Sequence, residues 1–158
     1  MPKLDKFDMA IIDALQANAR ATNVEIAEAV NLSPSPCLRR IRMLEEAGII
    51  RGYRADIDRP AIGLELTVFV AFKVIRHNRE NADEFQEGLR AIPEVVSCHM
   101  ISGDLDFLAE VVVENLAAYE RLLTERLLML PQVTDIRSNF AIRNVKTGGP
   151  LKLPPVRA

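Results

Sequence analysis

The chain has 158 residues, enough for one ordinary domain or two small ones, and a formal charge of −2 excludes a protein that coats nucleic acid by bulk electrostatics. Any nucleic-acid surface is therefore a local patch. Two cysteines make no disulfide framework, no apolar run is long enough to span a membrane, and "MPKLDKFDMA" has no apolar signal-like core, so a cytoplasmic protein is expected.

The first fifty residues read as three helices. Phe7, Ala10, Ile11, Ala14 and Leu15 recur at helical spacing, with Asn18 near the end. A second short helix starts after the cap Asn23, with Val24, Ala27 and Val30 on one side and Glu25 and Glu28 in its first turns. Asn31 and Leu32 form a turn. The third helix takes Ser33 as its cap and Pro34 at its first position, where the missing N–H costs nothing. Gly48 ends it.

Residues Ile49 to Asp58 read as extended, and Arg59-Pro60 with Gly63 punctuate the chain. A domain boundary is expected near residues 59 to 64, dividing residues 1–60 from residues 61–158. Beyond it come a strand from Leu66 to Val74, a helix face of Ala82, Phe85, Leu89 and Ile92, and strands from Val95 to Ile101 and Phe107 to Val113. A turn of Ser102, Gly103, Asp104 and Leu105 separates those two strands. A second helix face of Leu116, Tyr119, Leu123, Leu127 and Leu130 precedes a last strand from Val133 to Ile142. "AIPEVVSC" and "MLPQVTDI" repeat one device, a proline closing a helix before a valine opens a strand.

The order βαββαβ predicts a ferredoxin-like sheet with both helices on one face, and the whole chain is α+β. The first strand alternates Val68, Val70 and Phe72 with Phe69 and Ala71, so both its sides are apolar. A two-sided apolar strand needs cover on both sides, and a second copy of the sheet supplies it. A homodimer is expected. The tail from Thr147 to Ala158 reads as irregular.

Three short helices with a tight turn before the third spell helix-turn-helix. On a wheel of 100° per residue, Cys37, Leu38, Ile41 and Leu44 fall on the packed side. Ser35, Pro36, Arg39 and Met43 fall opposite, with Arg40 and Arg42 flanking them. Ser33, Ser35, Pro36, Arg39, Arg40 and Arg42 are therefore the expected DNA-binding residues. Arg39 is placed to bond a guanine through O6 and N7, and Arg40 and Arg42 to meet the phosphate walls of the groove. From Ser33 to Arg54 the segment carries a local excess of three positive charges. The competing reading of an arginine-rich amphipathic helix is a solvated surface.

At "LSPSPCLRRIRMLEEAGIIRGYRADID", "ISGDLDFLAEV" and "LPQVTDIRSNFAIRNVK" the chain resembles the Lrp/AsnC family of feast/famine transcription regulators, and the resemblance extends over nearly its whole length. It implies an N-terminal winged helix-turn-helix DNA-binding domain with a hinge strand and a C-terminal effector-binding and oligomerisation domain. It further implies binding to double-stranded DNA, and dimers that assemble into octamers or similar rings around a small effector, usually an amino acid. Carried over by residue, the effector pocket is expected at Met100, Ser102, Gly103, Asp104, Leu105 and Asp106, with Thr134, Ile136 and Ser138 from the last strand. A glycine turn offers backbone N–H groups to a carboxylate, and Asp104 or Asp106 can receive an ammonium. Without the resemblance, Ser-Gly-Asp reads as a plain hairpin turn.

Other residues carry less. Cys37 reads as core, Cys98 and His99 point to opposite sides of a strand, and His77 and His99 lack metal-ligand spacing. No metal, cofactor or catalytic residue is expected. The competing enzyme reading is a siroheme-decarboxylase-like protein on the same fold, whose DNA-binding half is degenerate. The arginines of the third helix weigh against it, and also against a stand-alone amino-acid sensor.

Overall fold

The computed structural model describes residues 4–75 and 79–155, without the side chains of residues 79–82. His77 and the side chain of Ala82 lie outside what is described. The chain separates into two compact units, residues 1–56 with 146–158, and residues 57–145.

The first unit holds α1 (Lys6–Ala17), α2 (Asn23–Ala29) and α3 (Pro34–Glu46). Asp5 caps α1 by accepting from the N–H groups of Phe7 and Asp8, and the Asp8 carboxylate returns a bond to the Asp5 N–H. Thr22, not Asn23, caps α2, in a reciprocal box with Glu25. That box explains why the expected cap fell one residue late: Asn23 is the first helical residue and its side chain bonds the Pro34 carbonyl instead. Ser33 occupies the cap position of α3 but makes no side-chain cap bond, and Pro34 opens the helix. Gly48, at φ +68, closes it, with Gly48 N–H bonding Glu45 O and Ile49 N–H bonding Leu44 O.

Ile11, Ile26, Ala27, Val30, Cys37, Ile41 and Leu44 form the core of this unit. Val24, expected inward, is exposed, and Ile26 takes its place. Leu38, also expected inward, is partly exposed on the outer side of α3. Residues 51–58 form no regular element and pair with no strand among the described residues, where a hinge strand was expected. The tail, expected with the second domain, groups with the first unit. There Leu151 exchanges two hydrogen bonds with the Gln16 amide, donating its N–H at 2.7 Å and accepting at 3.2 Å.

The second unit opens with a 3₁₀ turn (Pro60–Ile62) and continues β1 (Leu66–Val74), α4 (Arg79–Arg90), β2 (Val95–Met100), β3 (Phe107–Val113), α5 (Leu116–Leu122) and β4 (Val133–Phe140). The sheet is antiparallel in the order β2-β3-β1-β4, the ferredoxin-like arrangement expected. Val68, Val70, Phe72 and Val74 from β1 join Phe107, Ala109, Val111 and Val113 from β3 in one core with Phe85 and Leu89 of α4 and Tyr119, Leu122 and Leu127 near α5. Both helices therefore cover the same face.

The α5 face differs from expectation. Leu116 is exposed, while Leu122 is buried. After Leu122 the chain widens into a π-helical turn, Leu123–Leu127, which shifts the helical phase so that Leu122 and Leu127 both point inward. On the opposite face of the sheet, Thr67, Ala71 and Val112 are buried but Phe69 is 40% exposed. Among the described residues no helix is long and apolar enough to cross a membrane.

Candidate nucleic-acid interface and effector loop

α3 presents Ser35, Leu38, Arg39, Arg42, Met43 and Glu46 around a shallow outer groove. Cys37, Ile41 and Leu44 anchor the other side, and burial pushes the Cys37 thiol up from its usual value. The tight turn before α3 is held by the Leu32 N–H donating to Ala27 O at 2.9 Å and by Asn31 in the left-handed region at φ +56. Asparagine tolerates that conformation better than most residues, which is how a two-residue turn fits here. Ser33, Ser35, Arg39 and Arg42 are exposed, and Pro36 is half-buried in the first turn.

Arg40 is placed differently from the expected phosphate contact. Its Nη1 lies 2.7 Å from Asp8 Oδ1 and 2.9 Å from Asp5 Oδ2, and its guanidinium stands 5.4 Å from the Phe7 ring centroid. The bond to Asp8, ahead of the opposing effect of burial and the added bond to Asp5, raises its already high pKa. Arg40 thus fastens α3 to α1. Helical periodicity located it on the flank of the helix but gave no sign of the two carboxylates waiting there.

The second cluster lies where β1 ends. Ser102, Gly103 and Asp104 form an exposed turn with Gly103 at φ +115, a conformation open to glycine. Lys73 Nζ donates to the Asp104 carbonyl at 2.5 Å, and Thr134 Oγ1 donates to the Lys73 carbonyl at 3.1 Å. Lys73 thus sits between the loop and β4; the only sequence signal for it is a lone cation in an apolar strand.

Asp106 does not belong with the exposed loop carboxylates. It is buried, its Oδ2 accepts from the Val74 N–H at 2.9 Å, and its backbone bonds both Phe72 O and Ile101 N. It fastens the loop to the end of β1, so the expectation that it receives an ammonium is replaced by a structural role.

The β4 residues also separate. Val133 pairs with Val74 and Asp135 with Lys73, so Thr134 is the extra residue of a bulge. Ile136 packs against the core and Ser138 Oγ lies 2.5 Å from Tyr119 Oη, both on the helix-covered face. Ile136 and Ser138 thus share one face of β4, and Thr134 falls at the bulge. Met100 pairs with Phe107 and lines a cavity of about 330 Å³ with Leu89, Arg90 and Cys98. Cys98 pairs with Ala109 and His99 with Leu108, so the two lie on opposite faces as expected.

Residues 67–151 match the Lrp/AsnC ligand-binding domain, and residues 4–51 match a winged helix-turn-helix DNA-binding domain. The chain belongs to the Lrp/AsnC family. Like the family's regulators, it joins a helix-turn-helix unit to a ligand-binding sheet and is a DNA-binding transcriptional regulator. It is 42% identical to a leucine-responsive regulatory protein of Rhizobium meliloti over 91% of this chain and 92% of that one. It is 37% identical to another from Haemophilus influenzae, over 90% and 86%. A transcriptional regulator from Neisseria meningitidis, solved as its L-Met complex, superposes with TM-score 0.85 at 38% identity, covering 91% of this chain and 93% of that one. An AsnC-family regulator from Agrobacterium tumefaciens gives TM-score 0.88 at 34% identity, over 94% and 97%. These Lrp/AsnC relatives are regulators by name, which favours regulation over the tetrapyrrole chemistry weighed above.

Proposed function

We propose that this regulator reads double-stranded DNA through Arg39 and Arg42 of α3 and answers to a neutral amino acid bound at the Ser102–Leu105 turn. The observation that carries the DNA half is the exposed groove of Ser35, Leu38, Arg39, Arg42 and Met43 on a helix whose other side is locked into a core. Arg39 supplies the base contact and Arg42 the phosphate contact; Ser33 and Ser35, at the start of the helix, meet the backbone. Arg40 contributes by holding α3 rigidly against α1.

On the effector side, Gly103 opens backbone N–H groups for a carboxylate, and Asp104 accepts the ammonium. Met100 and Leu105 supply apolar surface, and Thr134 lies on the far side of Lys73. The Neisseria relative was solved with L-Met, which supports methionine or leucine as first ligands to try here. The exposed Phe69, between buried Thr67 and Ala71, supports a homodimer through the open sheet face, and membership of the Lrp/AsnC family supports further assembly into an octamer or similar ring and a cytoplasmic location.

The deciding experiment is an operator titration of the wild-type protein and Arg39→Ala with and without 10-fold changes of L-methionine or L-leucine. Sequence-selective binding that weakens in Arg39→Ala and moves with ligand supports the reading. Binding indifferent to sequence, or unmoved by every amino acid, sinks the corresponding half.

A further inference from the structure

The chain passes from the helical unit to the sheet unit through residues 51–58, which are exposed and form no regular element. Order resumes at Arg59. Its carbonyl accepts from the Ile62 and Leu64 N–H groups at 3.1 and 2.9 Å, closing the 3₁₀ turn that leads into β1. Its Nη1 lies 2.7 Å from Oε1 of Glu110 on β3, and the two side chains are 31% and 21% exposed. Among the described residues this is the only ion pair that joins two elements of the second unit; the others there lie within α4 or within β4.

Glu110 stands on the open face of the sheet. It pairs with Phe69 of β1 and with Ser97 of β2, whose Oγ lies 3.5 Å from Glu110 Oε2. Its neighbours on that face of β1 and β3 are Thr67, Phe69, Ala71, Leu108 and Val112. A lone carboxylate among them is costly, and more so once a second copy covers the face. Arg59 makes it tolerable. For cohesion alone an apolar residue at this position would serve as well or better, so the pair points to a role other than holding the dimer together.

A homodimer has two connecting segments and two recognition helices related by its two-fold axis. The half-sites on DNA must then lie at one spacing. How firmly each connecting segment is fixed where it leaves the sheet decides how strictly that spacing is enforced. We infer that Arg59 is a positioning residue for operator recognition: through Glu110 it fixes where the connecting segment leaves the sheet face, and so sets the half-site spacing that the regulator accepts. The inference rests on the homodimer proposed above.

The test uses a duplex enriched from a random-sequence pool by rounds of binding to the wild-type protein. Fluorescence anisotropy is read on that duplex, on a single half-site, and on a copy with about five base pairs, half a helical turn, added between the half-sites. Wild type should lose about 100-fold in affinity on the lengthened duplex, because one recognition helix then faces away from its half-site. The double variant Arg59→Gln/Glu110→Gln removes the pair without leaving a charge behind. It should keep the mass by static light scattering, the circular dichroism and the single-half-site affinity of wild type. On lengthening it should lose less than about 10-fold. Arg59→Glu/Glu110→Arg, which reverses the pair, should regain the wild-type loss.

A merely structural pair would lower affinity for all three duplexes together and leave their ratios alone, which overturns the inference. A wild-type ratio in the neutral double variant overturns it too, as does a reversed pair that behaves like the neutral one. A neutral variant that is monomeric shows the pair acting on dimer cohesion instead, with the same consequence. A monomeric wild type would sink the homodimer reading itself, a failure that the mass reveals before any duplex is added.

Discussion

Arg40 and Asp8 are 32 positions apart in the chain, yet Arg40 Nη1 and Asp8 Oδ1 meet at 2.7 Å. The Asp8 side chain is only 11% exposed and that of Arg40 25%. Three consecutive-looking arginines on one helix therefore do two kinds of work, because one is consumed by the fold.

Arg40→Ala should destabilise the first unit by about 1–3 kcal/mol, since it leaves the Asp8 carboxylate without its partner. Urea unfolding followed by far-UV circular dichroism measures it. Arg39→Ala and Arg42→Ala should stay within about 0.5 kcal/mol of wild type, as exposed substitutions do. Equal stability losses for all three would remove the distinction.

On DNA the ranking reverses. Arg39→Ala should lose about 1–3 kcal/mol of discrimination between the operator and a variant at the base it reads. Arg42→Ala should weaken all sequences alike and lower the slope of log affinity against log salt by about 1. Fluorescence anisotropy at several salt concentrations reads both. A salt slope unchanged in Arg42→Ala would rule out its phosphate contact.

The lock between α1 and α3 should also show in acid. Burial tends to raise the Asp5 carboxyl, but the N–H groups of Asp8 and Phe7 and the Arg40 guanidinium outweigh it and hold the pKa below the ordinary carboxylate value. A depressed folded pKa means that the stabilisation is fully present above the unfolded value of about 3.9 and is lost as pH falls through the folded one. Asp5→Asn keeps a competent cap but removes the charge. Its stability should therefore fall less steeply than that of wild type below about pH 4. Parallel stability curves from pH 6 downward would show that Asp5 carries no such coupling.

Asp104 and Asp106 should separate cleanly although they stand two residues apart. Asp106→Ala strips the Val74 N–H of its buried acceptor and should cost about 1–3 kcal/mol in the second unit. Asp104→Ala, exposed, should be near neutral in stability while weakening the response of DNA binding to amino acid. Thermal melts and operator titrations with ligand give the two readouts. A stable Asp106→Ala variant, or an Asp104→Ala variant with the full ligand response, would reverse the assignment.

Phe69→Glu should split the assembly. It places a charge in the middle of the open sheet face, opposite Glu110, whose carboxylate is already engaged by Arg59 at 2.7 Å. Static light scattering of the full chain should show a smaller particle with unchanged secondary structure. An unchanged mass would move the proposed interface elsewhere.

Much of this architecture is local in origin and so was legible along the chain. The alternation of Val68, Val70 and Phe72, the spacing of Phe85 and Leu89, the Pro34 entry and the Gly48 exit of α3 each express a conformational preference of the residues themselves. The repeated proline-valine junctions even gave the βαββαβ order, because chain direction and strand count leave few ways to pair. The exposed face of α3, with Arg39 and Arg42, followed from helical geometry alone.

Tertiary structure decided what depends on partners distant in sequence or on a slipped phase. Thr134 leaves the register of β4 at a bulge, and alternation by twos cannot see where an extra residue enters. Leu122 joins Leu123 and Leu127 against the core because one π turn, Leu123–Leu127, departs from a fixed helical periodicity. Asp106 and Asp104 look equivalent in "SGDLDF" until the Val74 N–H, 32 residues earlier, is found under only one of them. Arg40 is the same case: a charged side chain's role is set by which opposite charge or backbone group the fold brings within about 3 Å, and that distance is a property of the packed chain, not of the residue.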